Sequence, residues 1–153
     1  MGKQIKMKKI YSLAVMFFVA ICSIYAQKSE VFSTNGIAIK GYDPVAFFKE
    51  SKPVMGHDPL SYQWKGATWL FSTKENLEAF KAEPVKYAPQ YGGYCAYGAA
   101  EGHKAPTETN TWTILNDKLY FNYNQEVRGM WMKNQKANIV KANANWDNIK
   151  DKE

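Results

Sequence analysis

Apolar and polar residues alternate in two stretches of this chain and recur at helical spacing in three others. Tyr62 and Trp64, then Trp69 and Phe71, flank Lys65-Gly66-Ala67-Thr68. Aromatic positions two apart on either side of a glycine-bearing turn predict a β-hairpin. Ser72 or Thr73 then caps a helix carrying Leu77 and Phe80, with Glu75 and Glu78 near its start and Pro84 closing the pattern. The helix dipole accounts for those two acids without a catalytic role.

The same order returns 50 positions later. Trp112 and Ile114, then Leu119 and Phe121, flank Asn116-Asp117, and Asn124 caps a helix carrying Val127, Met130 and Trp131. At that interval Phe71 falls on Phe121, Leu77 on Val127 and Phe80 on Met130. Two small amphipathic sheets of this kind bury their faces against each other and against the helices. Residues 135–149 place Ile139, Ala142 and Trp146 at helical spacing, which predicts a closing helix that packs Trp146 onto the domain. The expected fold class is therefore α+β: two small antiparallel β-hairpins, each followed by a helix, with a C-terminal helix.

Before the first hairpin, residues 27–40 read as a polar lead-in with a brief strand at 37–39. Residues 51–60 hold Pro53, Gly56, His57 and Pro59 and read as an irregular loop. A single domain then spans 41–150.

Composition changes this picture at the N-terminus. The chain has 153 residues, 20 basic against 14 acidic. Lys3, Lys6, Lys8 and Lys9 cluster ahead of the apolar stretch 10–24, and Tyr25-Ala26-Gln27 follows. This is the order of a secretory signal peptide over 1–26, cut after Ala26. The apolar stretch is shorter than the roughly 20 residues that span a bilayer, and Ile21 before Cys22 disfavours a lipoprotein cut. The expectation is export to a periplasm or the medium, with no stable membrane insertion after cleavage. Without residues 1–26 the net charge falls from +6 to +2. That balance, with no basic patch among the aromatics, argues against a nucleic-acid partner.

The exported chain would keep one cysteine, Cys95, which cannot form an internal disulfide. It lies in the most unusual segment of the chain, residues 87–103, where four tyrosines and four glycines accompany it. Glycine costs roughly 0.5–1 kcal/mol relative to alanine, so this density implies a shaped loop. Three readings of Cys95 stand side by side. It is a packed thiol, a redox or nucleophilic thiolate, or a soft ligand for copper or zinc with His103 and His57 as nitrogen donors and Met55 as a further candidate. Two histidines 46 residues apart form no familiar zinc spacing. Asp43 caps or turns the chain after Gly41, and Arg128 reads as a surface ion-pair residue. No nucleophile elbow, phosphate loop or dinucleotide fingerprint is present, so hydrolase and kinase chemistry fall away.

The segments Gly41-Tyr42-Asp43-Pro44-Val45-Ala46-Phe47-Phe48 and Tyr87-Ala88-Pro89-Gln90-Tyr91-Gly92-Gly93-Tyr94-Cys95-Ala96-Tyr97 carry a family likeness. With the 62–71 hairpin and the stretch from Trp112 to Trp146, they make the chain resemble an exported YHS-domain protein, so that 41–150 is a YHS-like domain. In metal-associated members the resemblance implies cysteines at positions matching Ala46, Ser72 and Asn76; none of these can supply a thiolate. The exported branch keeps the cysteine matching Cys95, and some relatives carry selenocysteine there, which implies redox or metal contact.

These readings combine into an exported small domain whose Cys95 serves thiol redox chemistry or binds copper or zinc, with a thiol- or metal-handling protein as partner. Under the redox reading Cys95 is the catalytic thiol; otherwise the chain is no enzyme of a familiar class. The alternative is a non-enzymatic ligand- or protein-binding module in which the tyrosines line a pocket or contact and Cys95 is packing.

Overall fold

Asn35-Gly36, Lys65-Gly66 and Asn116-Asp117 all adopt left-handed backbone, with φ between 48° and 79°. Two consecutive positive-φ residues make the tight turn that matches the twist of a hairpin, and each of these pairs closes one. The structure is a computed structural model that describes residues 29–152; the signal peptide expected at 1–26 lies outside the described residues.

The first turn joins β1 (Ser33–Thr34) to β2 (Ile37–Ala38), and the second joins β3 (His57–Trp64) to β4 (Ala67–Phe71). Ile37 pairs in parallel with Thr68, giving one sheet in the order β1-β2-β4-β3. The polar segment before residue 40 thus adds two strands to this sheet, because Asn35-Gly36 folds it back. A short helix, α1 (Pro44–Lys49), crosses between the two hairpins.

His57 opens β3 opposite Phe71, where the sequence pattern suggested a loop. A register shift between His57 and Ser61 accommodates Pro59, which has no N–H for a regular ladder. After β4 come α2 (Lys74–Ala82), capped by the Thr73 hydroxyl, and the single turn α3 (Pro84–Tyr87). The segment 87–103 is not irregular, since a tight turn Gln90–Gly93 leads into α4 (Ala96–Ala100). The third turn joins β5 (Glu108–Leu115) to β6 (Lys118–Asn122) in a separate two-stranded sheet. The chain ends on a helical pair, α5 (Gln125–Lys133), capped by Asn124, and α6 (Gln135–Ile149). The architecture is α+β, each hairpin being followed by a helix.

The two hairpin–helix units match at an interval of 51 residues, one more than ring identity suggested. Tyr62 pairs with Trp69 as Thr113 pairs with Tyr120, and Trp64 with Ala67 as Leu115 with Lys118. The helix caps Thr73 and Asn124 keep the interval. So do the helix-joining residues Glu83 (φ −138°, ψ 62°) and Asn134 (φ −135°, ψ 48°). Phe71 therefore corresponds to Asn122, and Phe80 to Trp131. In each unit a strand aromatic packs on the helix aromatic: Trp69 on Phe80 at 5.1 Å between ring centroids, Tyr120 on Trp131 at 5.3 Å.

Phe80 is fully buried and also meets Tyr62, Trp64 and Phe71. Such burial stabilises by about 1.5–3 kcal/mol per side chain. The inner faces of both sheets share this core, because Phe47 of α1 contacts Phe121 of β6 at 5.2 Å. A second cluster forms where Tyr91, Tyr120 and Trp131 receive Ala142 and Trp146 of α6, as the helical spacing predicted. Among the described residues no helix is long and apolar enough to cross a membrane.

Candidate functional site

Tyr91, Gly92 and Gly93 take φ of 55°, 60° and 88°, a left-handed run that reverses the chain and delivers Cys95 to the start of α4. Ile39, Lys40 and Gly41 do the same 52 positions earlier (φ 40°, 57° and 82°) and deliver Asp43 to the start of α1. Gly92 allows close approach: a Cβ there would lie 1.8 Å from the Glu30 carbonyl oxygen. The Gly92 carbonyl in turn accepts from Phe32 N–H at 2.9 Å.

Cys95 is only 2% exposed. Its Sγ accepts the Gly98 N–H at 3.4 Å, and its S–H faces Asn122 Oδ1 at 3.7 Å. Asn122 Oδ1 also accepts from Tyr97 N–H at 3.2 Å. The thiol therefore acts as a helix cap and is engaged on both sides, by Gly98 N–H and by Asn122 Oδ1. His103 lies near it in sequence, its N–H donating to the Gly98 carbonyl, but its side chain is exposed. His57 is exposed on the other sheet. Among the described residues no group of three or more His, Cys, Asp or Glu side chains could hold a metal ion, so Cys95, His103 and His57 are not gathered into a ligand set. Arg128, read as an ion-pair residue, donates its Nε–H to Thr113 Oγ1 at 3.0 Å.

Asp43 is fully buried and its carboxylate accepts five hydrogen bonds. The donors are the N–H groups of Val45, Ala46 and Ser72, the Ser72 hydroxyl, and Asn76 Nδ2 at 2.7 Å. Ala46, Ser72 and Asn76, the positions that the family resemblance sets against cysteines, thus meet around one carboxylate. What they build is a satisfied polar network.

A cleft of about 240 Å³ opens where the two halves meet. The first hairpin contributes Trp64, Lys65 and Trp69, the left-handed run contributes Tyr91, α6 contributes Trp146, and Glu30 closes the rim. Cys95 does not line it. Lys65 Nζ pairs with Glu30 at 2.7 Å and stands 5.1 Å from the centre of the Trp64 ring. Tyr91 donates its hydroxyl to Asn143 Oδ1 at 3.0 Å and meets the edge of Trp146 at 5.7 Å. Burial pushes the Tyr91 phenol far above its ordinary value of 10.0, and neighbouring Tyr120 adds to the effect. Burial also raises Tyr94 and Tyr120.

The tyrosine and glycine density of residues 87–103 pointed to the Tyr91 wall. Glu30, Trp64 and Trp146 are distant in sequence and carried no shared signal. Asn122, the polar partner of Cys95, likewise sits in a strand with nothing local to single it out. No family model, curated protein or solved structure matches the chain.

Proposed function

We propose that this chain is an exported, YHS-like binding module that takes a small ligand in the cleft between its halves, with Cys95 as a structural cap. One observation carries the choice over thiol chemistry: the sulfur is buried and engaged on both sides by Gly98 and Asn122, while the aromatic cleft lies apart from it. An activated thiolate needs access and a neighbour that favours the charged form. A binding site needs a concave, mainly preformed surface with a few placed polar groups. The cleft supplies this in Trp64, Tyr91, Trp146, Asn143 and the Lys65–Glu30 pair. Its volume lies below the roughly 300–1,000 Å³ of sites for drug-sized molecules, which favours a small ligand.

Two measurements test the proposal together. Labelling of Cys95 by a soluble thiol reagent should be slow in the folded chain and become fast only on denaturation. A library of small polar and aromatic fragments should perturb the indole resonances of Trp64 and Trp146. Rapid labelling of the native protein, with no fragment reaching either tryptophan, would return the argument to redox or soft-metal chemistry at Cys95.

A further inference from the structure

The cleft already holds one cation. Lys65 Nζ lies over the Trp64 ring at 5.1 Å and against the Glu30 carboxylate at 2.7 Å. An aromatic face with an adjacent carboxylate is the arrangement that attracts an alkylammonium. The charged groups lining the cleft are Glu30, Asp147 and Lys65. Two carboxylates and one ammonium thus line the cleft, and Lys150, outside the lining, acts on both carboxylates. Asp147 is also bridged by Lys150 at 3.0 Å from outside the lining, yet remains largely exposed at its tip. Trp146 adds a second indole, braced edge-on by Tyr91.

We infer that the cleft takes a small organic cation, a quaternary or primary alkylammonium, on the Trp64 and Trp146 rings, and that Lys65 is a resident cation which the ligand displaces. The inference rests on the cleft being the binding site proposed above. An anionic ligand would meet Glu30 and Asp147, and the one lining ammonium is already engaged. A neutral ligand would gain nothing from the Glu30 carboxylate, which would keep its pair with Lys65. Lys65 sits at a left-handed turn position (φ 48°) on the hairpin tip. Its long side chain can swing from the ring to solvent without disturbing the strands.

The test titrates the 153-residue chain with choline and with 3,3-dimethyl-1-butanol, its neutral isostere of the same shape, observing the tryptophan indole resonances. Choline should bind at least tenfold more tightly than the alcohol. Glu30→Gln should weaken choline several-fold, and Trp146→Ala should abolish the response. Lys65→Asn suits the left-handed turn and removes the resident ammonium; it should tighten choline three- to tenfold. Equal binding of choline and the alcohol would overturn the cation inference while leaving the cleft as a ligand site. So would binding of indole with no response to choline in either the native chain or Lys65→Asn. If choline, the alcohol and indole all leave both tryptophans unperturbed, the inference and the binding-site reading fall together.

Discussion

Asp43 and Cys95 occupy the same place in the two halves of the molecule. Each follows a run of three left-handed residues, and each caps the short helix that comes next. The carboxylate accepts five hydrogen bonds, whereas the thiol accepts one and donates one.

That difference should appear as stability. Asp43→Ala strands several buried donors at once and should cost about 3 kcal/mol or more. Cys95→Ser keeps a capping atom and a donor and should stay within about 1 kcal/mol of the native chain. Urea denaturation of the two variants checks this. Comparable losses would remove the structural account of both caps.

Trp69 of β4 and Trp131 of α5 are both fully buried but differently satisfied. Trp69 Nε1–H donates to the Trp64 carbonyl at 3.0 Å, whereas Trp131 Nε1 has no acceptor among the described residues. Phenylalanine at either position loses similar packing, but only Trp69→Phe leaves a carbonyl short of its partner. Trp69→Phe should therefore be the less stable variant by about 1 kcal/mol. Thermal unfolding of the pair gives the comparison.

Alkali should loosen the fold through its tyrosines. Tyr91, Tyr94 and Tyr120 hold their protons above the ordinary value of 10.0 because burial penalises the phenolate. The unfolded chain ionises first. The contribution is complete below about pH 10 and is lost as the pH rises toward the raised folded values. Stability measured in urea from pH 8 to 11 should be level at first and then fall. Tyr91→Phe should make the fall shallower, and absorbance near 295 nm should show late-titrating phenols only in the folded state.

Gly92 and Gly66 both have positive φ but differ in surroundings. A Cβ at Gly66 meets nothing within 4 Å, so Gly66→Ala should cost only the backbone term, about 1–2 kcal/mol. At Gly92 the added carbon would strike the Glu30 carbonyl, which is backbone and cannot rotate away. Gly92→Ala should cost about 3 kcal/mol or more and separate Glu30 from Lys65. Denaturation midpoints report the first effect, and the Trp64 fluorescence reports the second.

Much of the architecture was legible because strand and helix periods are local properties. Tyr62, Trp64, Trp69 and Phe71 mark a hairpin by themselves, and Thr73 and Asn124 mark helix starts. Aligning Phe71 with Phe121 follows ring identity and misses the repeat by one residue. The physical register follows the turns, where Lys65-Gly66 corresponds to Asn116-Asp117. The sequence pattern places His57 in a loop because Pro59 masks a strand that tolerates it through a register shift. The cleft could not be read at all, since its walls come from residues as far apart as Glu30 and Trp146. The five-bond environment of Asp43 was equally hidden, because Ser72 and Asn76 approach it only through tertiary packing.

The 51-residue correspondence leaves the cleft outside the paired copies. Trp64, Lys65 and Trp69 come from the first unit, Tyr91 from the segment between the units and Trp146 from the closing helix, and no lining residue comes from the second hairpin or its helix. The connecting and closing segments can therefore change the shape of this hollow without touching the turns and caps that make each copy fold.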